Sequence, residues 1–211
     1  MASFEIAEGI TGASEGGGYS DVKGDRGGET YSSIARNKNP HWPGWKLIDD
    51  YKHSALFPHN INAELLRPLV VDFLRSDFWN RIKGDYIKEQ QLANIVYDVA
   101  VNMGTSASAK NLQRALNSMN VMEKDWPDLK VDGAIGRKTL GAIDDLVRVR
   151  ELRAYPTLIL AFYAQAIVSW LRQTQTKESQ EKFMNGWLWR GVMNVYKVAI
   201  FYFKKADNIR L

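Results

Sequence analysis

Apolar residues recur at three- and four-residue spacing along most of this 211-residue chain. Phe4, Ile6, Ala7, Ile10 and Ala13 lie along one side of a helix predicted over residues 3–14. The same period predicts helices over 46–52, 62–82, 88–103, 107–119, 135–152, 156–173 and 177–203. Pro68 lacks an amide hydrogen and crowds the turn before it, so a break or restart is expected there. Residues 30–36 read as one more short helix. No stretch sustains the period-two alternation of a half-buried strand. Gly16, Gly17, Gly18, Gly24, Gly27 and Gly28 interrupt the helical pattern and predict a loop or short hairpin over 16–29, and His41-Trp-Pro-Gly-Trp45 predicts a turn. The expected fold is mainly α: a helical bundle with a small β-hairpin or loop region near the N-terminus.

Composition narrows the class. A hydrophobic share of 45% with 25% charged residues is that of an ordinary globular chain. There are no cysteines, so disulfides and thiolate metal sites are excluded, and folding in a reducing compartment is expected. His41, His53 and His59 lack metal-ligand spacing, so neither a metal nor another cofactor is expected. The run 155–171 is broken by Gln165 and Ser169, and the run 195–203 by Lys197, which favours buried helices over membrane spans. The first ten residues carry Glu5 and Glu8 and lack the pattern of a secretory signal. The net charge of +4 favours an anionic partner. Its cations are scattered and no nucleic-acid-binding signature is present, so a wall polymer is preferred over nucleic acid.

The segment Glu15-Gly-Gly-Gly-Tyr19, followed by Asp25-Arg-Gly-Gly-Glu-Thr30, is the strongest chemical signal. Two carboxyls converging on one cleft suit glycoside hydrolysis, in which one protonates the leaving oxygen and the other serves water or the sugar cation. Glu15 is the candidate general acid; the alternative is a solvent-facing glutamate that closes a helix. Asp25 is a candidate base or a turn residue bonding its own backbone, and Asp21 is a weaker candidate for the same role. Thr30 orients water or caps a following helix. Tyr19 offers an amphipathic ring for sugar contact.

These residues resemble the N-terminal mark of the glycoside hydrolase family 108 muramidases, Glu-Gly-Gly-Tyr followed by Asp-Pro-Gly-Gly-x-Thr. The second half resembles the predicted peptidoglycan-binding region that accompanies them, through 92–104, Leu112-Gln-Arg-Ala-Leu116 and Val131-Asp-Gly-Ala-Ile-Gly-Arg-Lys-Thr-Leu140. The chain departs from the family pattern by one extra glycine after Glu15, by Arg26 in place of proline, and by Ser33 in place of glycine. The resemblance implies a lysozyme-like α+β fold that cleaves the β-1,4 bond between N-acetylmuramic acid and N-acetylglucosamine in peptidoglycan glycan strands. It implies a catalytic region over 1–85 and a peptidoglycan-binding-like region over 86–211, packed into one monomeric globule. It also implies a role of the secretion-activator or endolysin type; with no signal pattern in the first ten residues, synthesis in the cytoplasm and access to the wall through a holin, a secretion system or lysis are expected. The alternative is a non-catalytic wall-binding or secretion-associated protein that retains the fold.

Asn102 and Gly104 resemble the Asn-x-Gly lining the cleft of several lysozyme families, and Asp98 lies one helical turn earlier; a plain helix cap explains Gly104 equally well. Trp42 and Trp45, in the predicted turn, are the sugar-stacking candidates. Trp79, Trp170, Trp187 and Trp189 fall within helical patterns and read as core. Asp132-Gly133 reads as a tight turn.

Overall fold

The structure, a computed structural model, describes residues 1–15, 18–23, 25 and 27–207, without the side chains of 13–15, 206 and 207. Among the described residues there are eight α-helices: α1 (Phe4–Glu15), α2 (Gly44–Tyr51), α3 (Ala63–Leu74), α4 (Gln90–Met103), α5 (Thr105–Asn117), α6 (Arg137–Arg150), α7 (Ala154–Thr176) and α8 (Glu181–Asp207). One small antiparallel sheet has the order β1 (Tyr19–Ser20), β2 (Thr30–Tyr31), β3 (Ile34–Ala35).

Helix α4 is the axis. Leu92, Ala93, Ile95, Val96, Tyr97, Val99 and Ala100 are all buried, so it is apolar nearly all round, as a central helix must be. Helix α1 lies along it, and the Phe4 ring stands edge-on to Tyr97 at 5.9 Å and 5.8 Å from Trp79. Helices α5, α7 and α8 then stack in succession. One apolar core runs from Phe4 to Trp170 and Val198 and draws on residues on both sides of position 85. The helical stretch 137–176 is apolar enough, by length and composition, to cross a membrane. Within it, however, Leu158, Ile159, Phe162, Tyr163, Ala166 and Trp170 are buried, and α7 packs against α5 and α8.

Two local expectations are corrected. Residues 30–36 are a hairpin, not a helix: Tyr31 pairs with Ile34 and Thr30 with Ala35. Only Ser32 and Ser33 remain to turn the chain, and both take positive φ, 45° and 69°. A two-residue hairpin needs that left-handed geometry. Pro68 does not break α3, which continues to Leu74. The irregularity falls at residues 75–79, where a π-turn widens the helix and places Trp79 in the core with its Nε1 donating to Asp85 Oδ1 at 2.7 Å. Gly84 is required beside it, since a Cβ there would lie 2.3 Å from the Trp79 ring. Helix α3 starts on Asn62, whose Oδ1 accepts from the amides of Glu64 at 3.0 Å and Leu65 at 3.4 Å, a cap worth about 1 kcal/mol.

The loop 118–136 is tied down by two side chains of α5. Asn117 exchanges two 2.8 Å hydrogen bonds with the backbone of Leu129. Gln113 donates to Asp132 Oδ1 at 2.8 Å and Ala134 O at 3.0 Å, and accepts from Gly133 N at 3.0 Å. Gly133, at φ +83°, fits where a Cβ would sit 2.3 Å from Ser106 Oγ. The Asp132-Gly133 turn is thus half of an internal latch whose other half is Gln113.

Candidate active site

A cleft of about 770 Å³ opens where the hairpin region, the α4–α5 corner and the α7–α8 pair meet. The hairpin side contributes Asp25, Gly27, Thr30, Ser33 and Lys38. The corner contributes Asn102, Met103 and Gly104, and the far wall Arg172, Gln173, Lys177, Phe183 and Trp187. Asp25 is the one carboxylate lining it among the described residues.

Asp25 is half-buried and holds its own turn: Oδ1 accepts from Gly27 N at 2.9 Å, and its carbonyl accepts from Gly28 N at 3.2 Å. Asp25 is thus the turn former that the sequence allowed, and it faces the cleft. Thr30 donates from Oγ1 to Gly28 O at 3.3 Å. It sits in β2, so it caps no helix, and it too lines the cleft. Asp21 is exposed and does not line the cleft. Glu15 closes α1, but its side chain, like residues 16, 17, 24 and 26, lies outside the described residues. Earlier in α1, Glu8 and Gly12 line a small pocket together with Ser33 and Val101, and these last two also line the cleft. The buried Glu8 is held there by a bidentate pair with Arg67, both contacts at 2.7 Å.

Asn102 lines the cleft with both ends of its amide engaged. Nδ2 donates to Asp98 O at 2.8 Å and Oδ1 accepts from Arg190 Nη1 at 2.5 Å. Gly104, at φ 91° and ψ 150°, occupies a region open essentially to glycine alone and turns α4 directly into α5. Asp98 is corrected from a sugar contact to an internal anchor. It is 5% exposed, pairs with Arg190 Nε at 3.3 Å and accepts from Asn194 Nδ2 at 3.2 Å. Asn194 also bonds the Tyr163 hydroxyl at 2.7 Å, and burial, reinforced by the Asp98 charge, pushes that phenol well above its ordinary value.

The aromatic assignment is also corrected. Trp42 and Trp45 are core residues, 6% and 3% exposed. Trp42 stacks on Tyr31 at 6.2 Å and donates to Leu69 O at 3.2 Å; Trp45 donates to Asn39 O at 2.8 Å and carries the Arg36 guanidinium 4.5 Å over its ring. Gly44 allows this close packing, because a Cβ there would fall 2.2 Å from the Trp42 ring. Neither indole has a face left for sugar. Tyr19 is half-buried, edge-on to Phe57 at 4.7 Å, and stands outside the cleft wall. Burial and then the Glu29 charge raise its phenol pKa.

The aromatic surface of the cleft comes instead from α8. Trp187 stacks on the buried Trp170 at 6.1 Å, and Phe183 stacks on Trp187 at 6.0 Å. Phe183, Trp187, Arg190 and Asn194 fall at i, i+4, i+7 and i+11, one face of the helix, and that mixed spacing was the signal for a cleft-facing side. Trp189 is 65% exposed and lines an adjoining pocket of about 490 Å³ with Arg190 and Lys197. This pocket shares Asn102, Phe183 and Trp187 with the main cleft. No group of metal-ligating side chains occurs among the described residues.

The fold is similar to that of SagA from Brucella abortus, with a TM-score of 0.62 at 23% identity over 94% of this chain and 95% of that one. An alignment 161 positions long, covering 68% of this chain, shows 26% identity to isocitrate lyase 1 of Mycobacterium tuberculosis and of Mycobacterium bovis. The chain spans about 37% of the length of these curated relatives, too little to carry an activity across. Residues 10–104 match the family described as glycosyl hydrolase 108, and residues 107–192 match the predicted peptidoglycan domain. The two segments meet at the α4–α5 corner, on the cleft. Two family segments thus follow one another along the chain, glycosyl hydrolase 108 over residues 10–104 and the predicted peptidoglycan domain over residues 107–192.

Proposed function

We propose that the protein is a muramidase that cleaves the β-1,4 bond between N-acetylmuramic acid and N-acetylglucosamine, with Glu15 as general acid. One observation carries this reading: Asp25 and Thr30 line one cleft with Asn102, some seventy residues further along the chain, beside the stacked rings of Phe183 and Trp187. Helical period puts position 15 on the face of α1 that holds Glu8 and Gly12, the face turned toward Ser33 and Val101. Asp25, held by Gly27 N, is the base that directs water, and Thr30 shares that task. The stacked pair of Phe183 and Trp187 forms the apolar wall of the cleft, against which the underside of a pyranose packs. The glycosyl hydrolase 108 and peptidoglycan segments support a glycoside hydrolase directed at the wall. The protein acts there after release from the cytoplasm.

Purified peptidoglycan provides the test. Wild-type protein clears a suspension of sacculi and leaves reducing-end N-acetylmuramic acid by mass spectrometry. Glu15→Gln removes the transferable proton at nearly constant shape and lowers the rate about a hundredfold to ten-thousandfold. A folded Glu15→Gln variant that clears at the wild-type rate excludes the assignment. Wild-type protein that pellets with sacculi without cutting them supports a wall-binding role instead.

A further inference from the structure

Cations outnumber anions on the cleft wall. Lys38 follows β3, Arg172 lies on α7 and Lys177 lies in the turn between α7 and α8; all three are exposed and line the cleft. None of the three forms an ion pair among the described residues, whereas Arg36, Lys52, Arg67, Arg75, Arg81 and Lys88 all have carboxylate partners. Asp25 is the single described carboxylate facing them. Lys197 extends the cationic lining into the adjoining pocket.

A glycan whose lactyl groups are capped as amides is neutral and offers these cations nothing to pair with. Peptidoglycan differs from it in the short peptides borne on the lactyl groups, which carry free carboxylates. Cations from separate elements that converge on a concave wall focus an attractive field there. Guanidinium–carboxylate contacts are also stronger than neutral hydrogen bonds. We propose that Lys38, Arg172 and Lys177 recognise the carboxylates of the stem peptides, so that the cleft selects peptide-substituted glycan over bare glycan. The proposal rests on the muramidase reading for its substrate and is tested separately from it.

Two substrates suffice: sacculi free of teichoic acid, and the same sacculi stripped of their peptides by an amidase, with the lactyl carboxylates so freed capped as methylamides. Hydrolysis and co-sedimentation are measured on both, for wild type and for Arg172→Gln/Lys177→Gln, with thermal melting to confirm folding. Wild type favours intact sacculi in both measurements. The double variant loses that preference by roughly tenfold, the scale of one lost charge-assisted contact. Equal treatment of the two substrates by wild type, or an unchanged preference in the folded double variant, overturns the proposal. Preferential sedimentation with intact sacculi, without hydrolysis of either, preserves the carboxylate site while removing the muramidase reading. Hydrolysis of both at one rate does the reverse.

Discussion

Arg190, in the segment matched to the peptidoglycan domain, donates from Nη1 to the Oδ1 of Asn102 in the glycosyl hydrolase segment at 2.5 Å. The same guanidinium pairs through Nε with buried Asp98 at 3.3 Å. The second segment therefore sets the orientation of an amide on the cleft wall. With Oδ1 taken by Arg190 and one amide hydrogen given to Asp98 O, the remaining hydrogen of Asn102 has no partner among the described residues and is free for an acceptor on a ligand.

Arg190→Met tests this coupling. Removing one partner of a buried pair strands the other charge, at a cost of about 3–5 kcal/mol. Chemical denaturation should show a loss of that order, and Asp98→Asn in the Arg190→Met background should recover part of it. Activity on sacculi should fall further than the unfolded fraction explains, because Asn102 loses its orientation. Full activity in the folded remainder would separate Arg190 from the cleft.

The aromatic corrections predict opposite behaviour for two tryptophans. Trp42→Ala empties a core site and should cost about 3–5 kcal/mol of stability. Trp187→Ala removes a half-exposed ring at the cleft and the support of Phe183, so its main effect should be weaker co-sedimentation with sacculi, on the order of tenfold for about 1.4 kcal/mol of lost apolar contact. Melting temperature and pelleting, read together, check both assignments. A Trp187→Ala protein that binds normally would remove the sugar platform from α8.

The helices were legible because an amphipathic helix repeats its apolar side every 3.6 residues whatever it packs against. The hairpin at 30–36 was not, since Ser32 and Ser33 adopt positive φ without the glycine or asparagine that announces it. The loop tryptophans misled for a related reason. Composition places Trp42 in a turn, but only tertiary contact reveals that Gly44 lets its ring fold back under Tyr31. Trp187 looked like core because half of it is: one face rests on Trp170 while its edge meets the cleft. The Gln113 and Asp132-Gly133 signatures were visible as motifs, yet nothing in sequence showed that they bind each other.

Acid sensitivity should originate partly at Asp49. The hydrogen bonds from Arg36, at 2.6 and 3.0 Å, hold its carboxyl below the ordinary carboxylate value, with Lys52 contributing. A depressed native pKa adds stability that is complete above the unfolded value, near 4, and is lost as pH falls through the native one. Melting temperature should therefore drop below about pH 4, and Asp49→Asn should flatten that part of the profile while lowering the neutral-pH plateau. An unchanged acid limb in the variant would show that other carboxylates govern it.

The last prediction concerns stereochemistry. If Asp25 directs water at the anomeric carbon, displacement is direct and the products are inverted, which needs a gap to the acid of about 6.5–9.5 Å rather than the 5–5.5 Å of a covalent mechanism. Asp25 is suited to hold water rather than to attack: its Oδ1 is already fixed by Gly27 N at 2.9 Å, and Thr30 stands on the same wall. Asp25→Asn keeps an acceptor for Gly27 N and so preserves the turn. It should nevertheless reduce turnover by about a hundredfold to ten-thousandfold with binding to sacculi intact. Proton NMR of the first products should show the α anomer. A β anomer, or a sugar trapped covalently on Asp25, would assign this carboxylate the role of nucleophile.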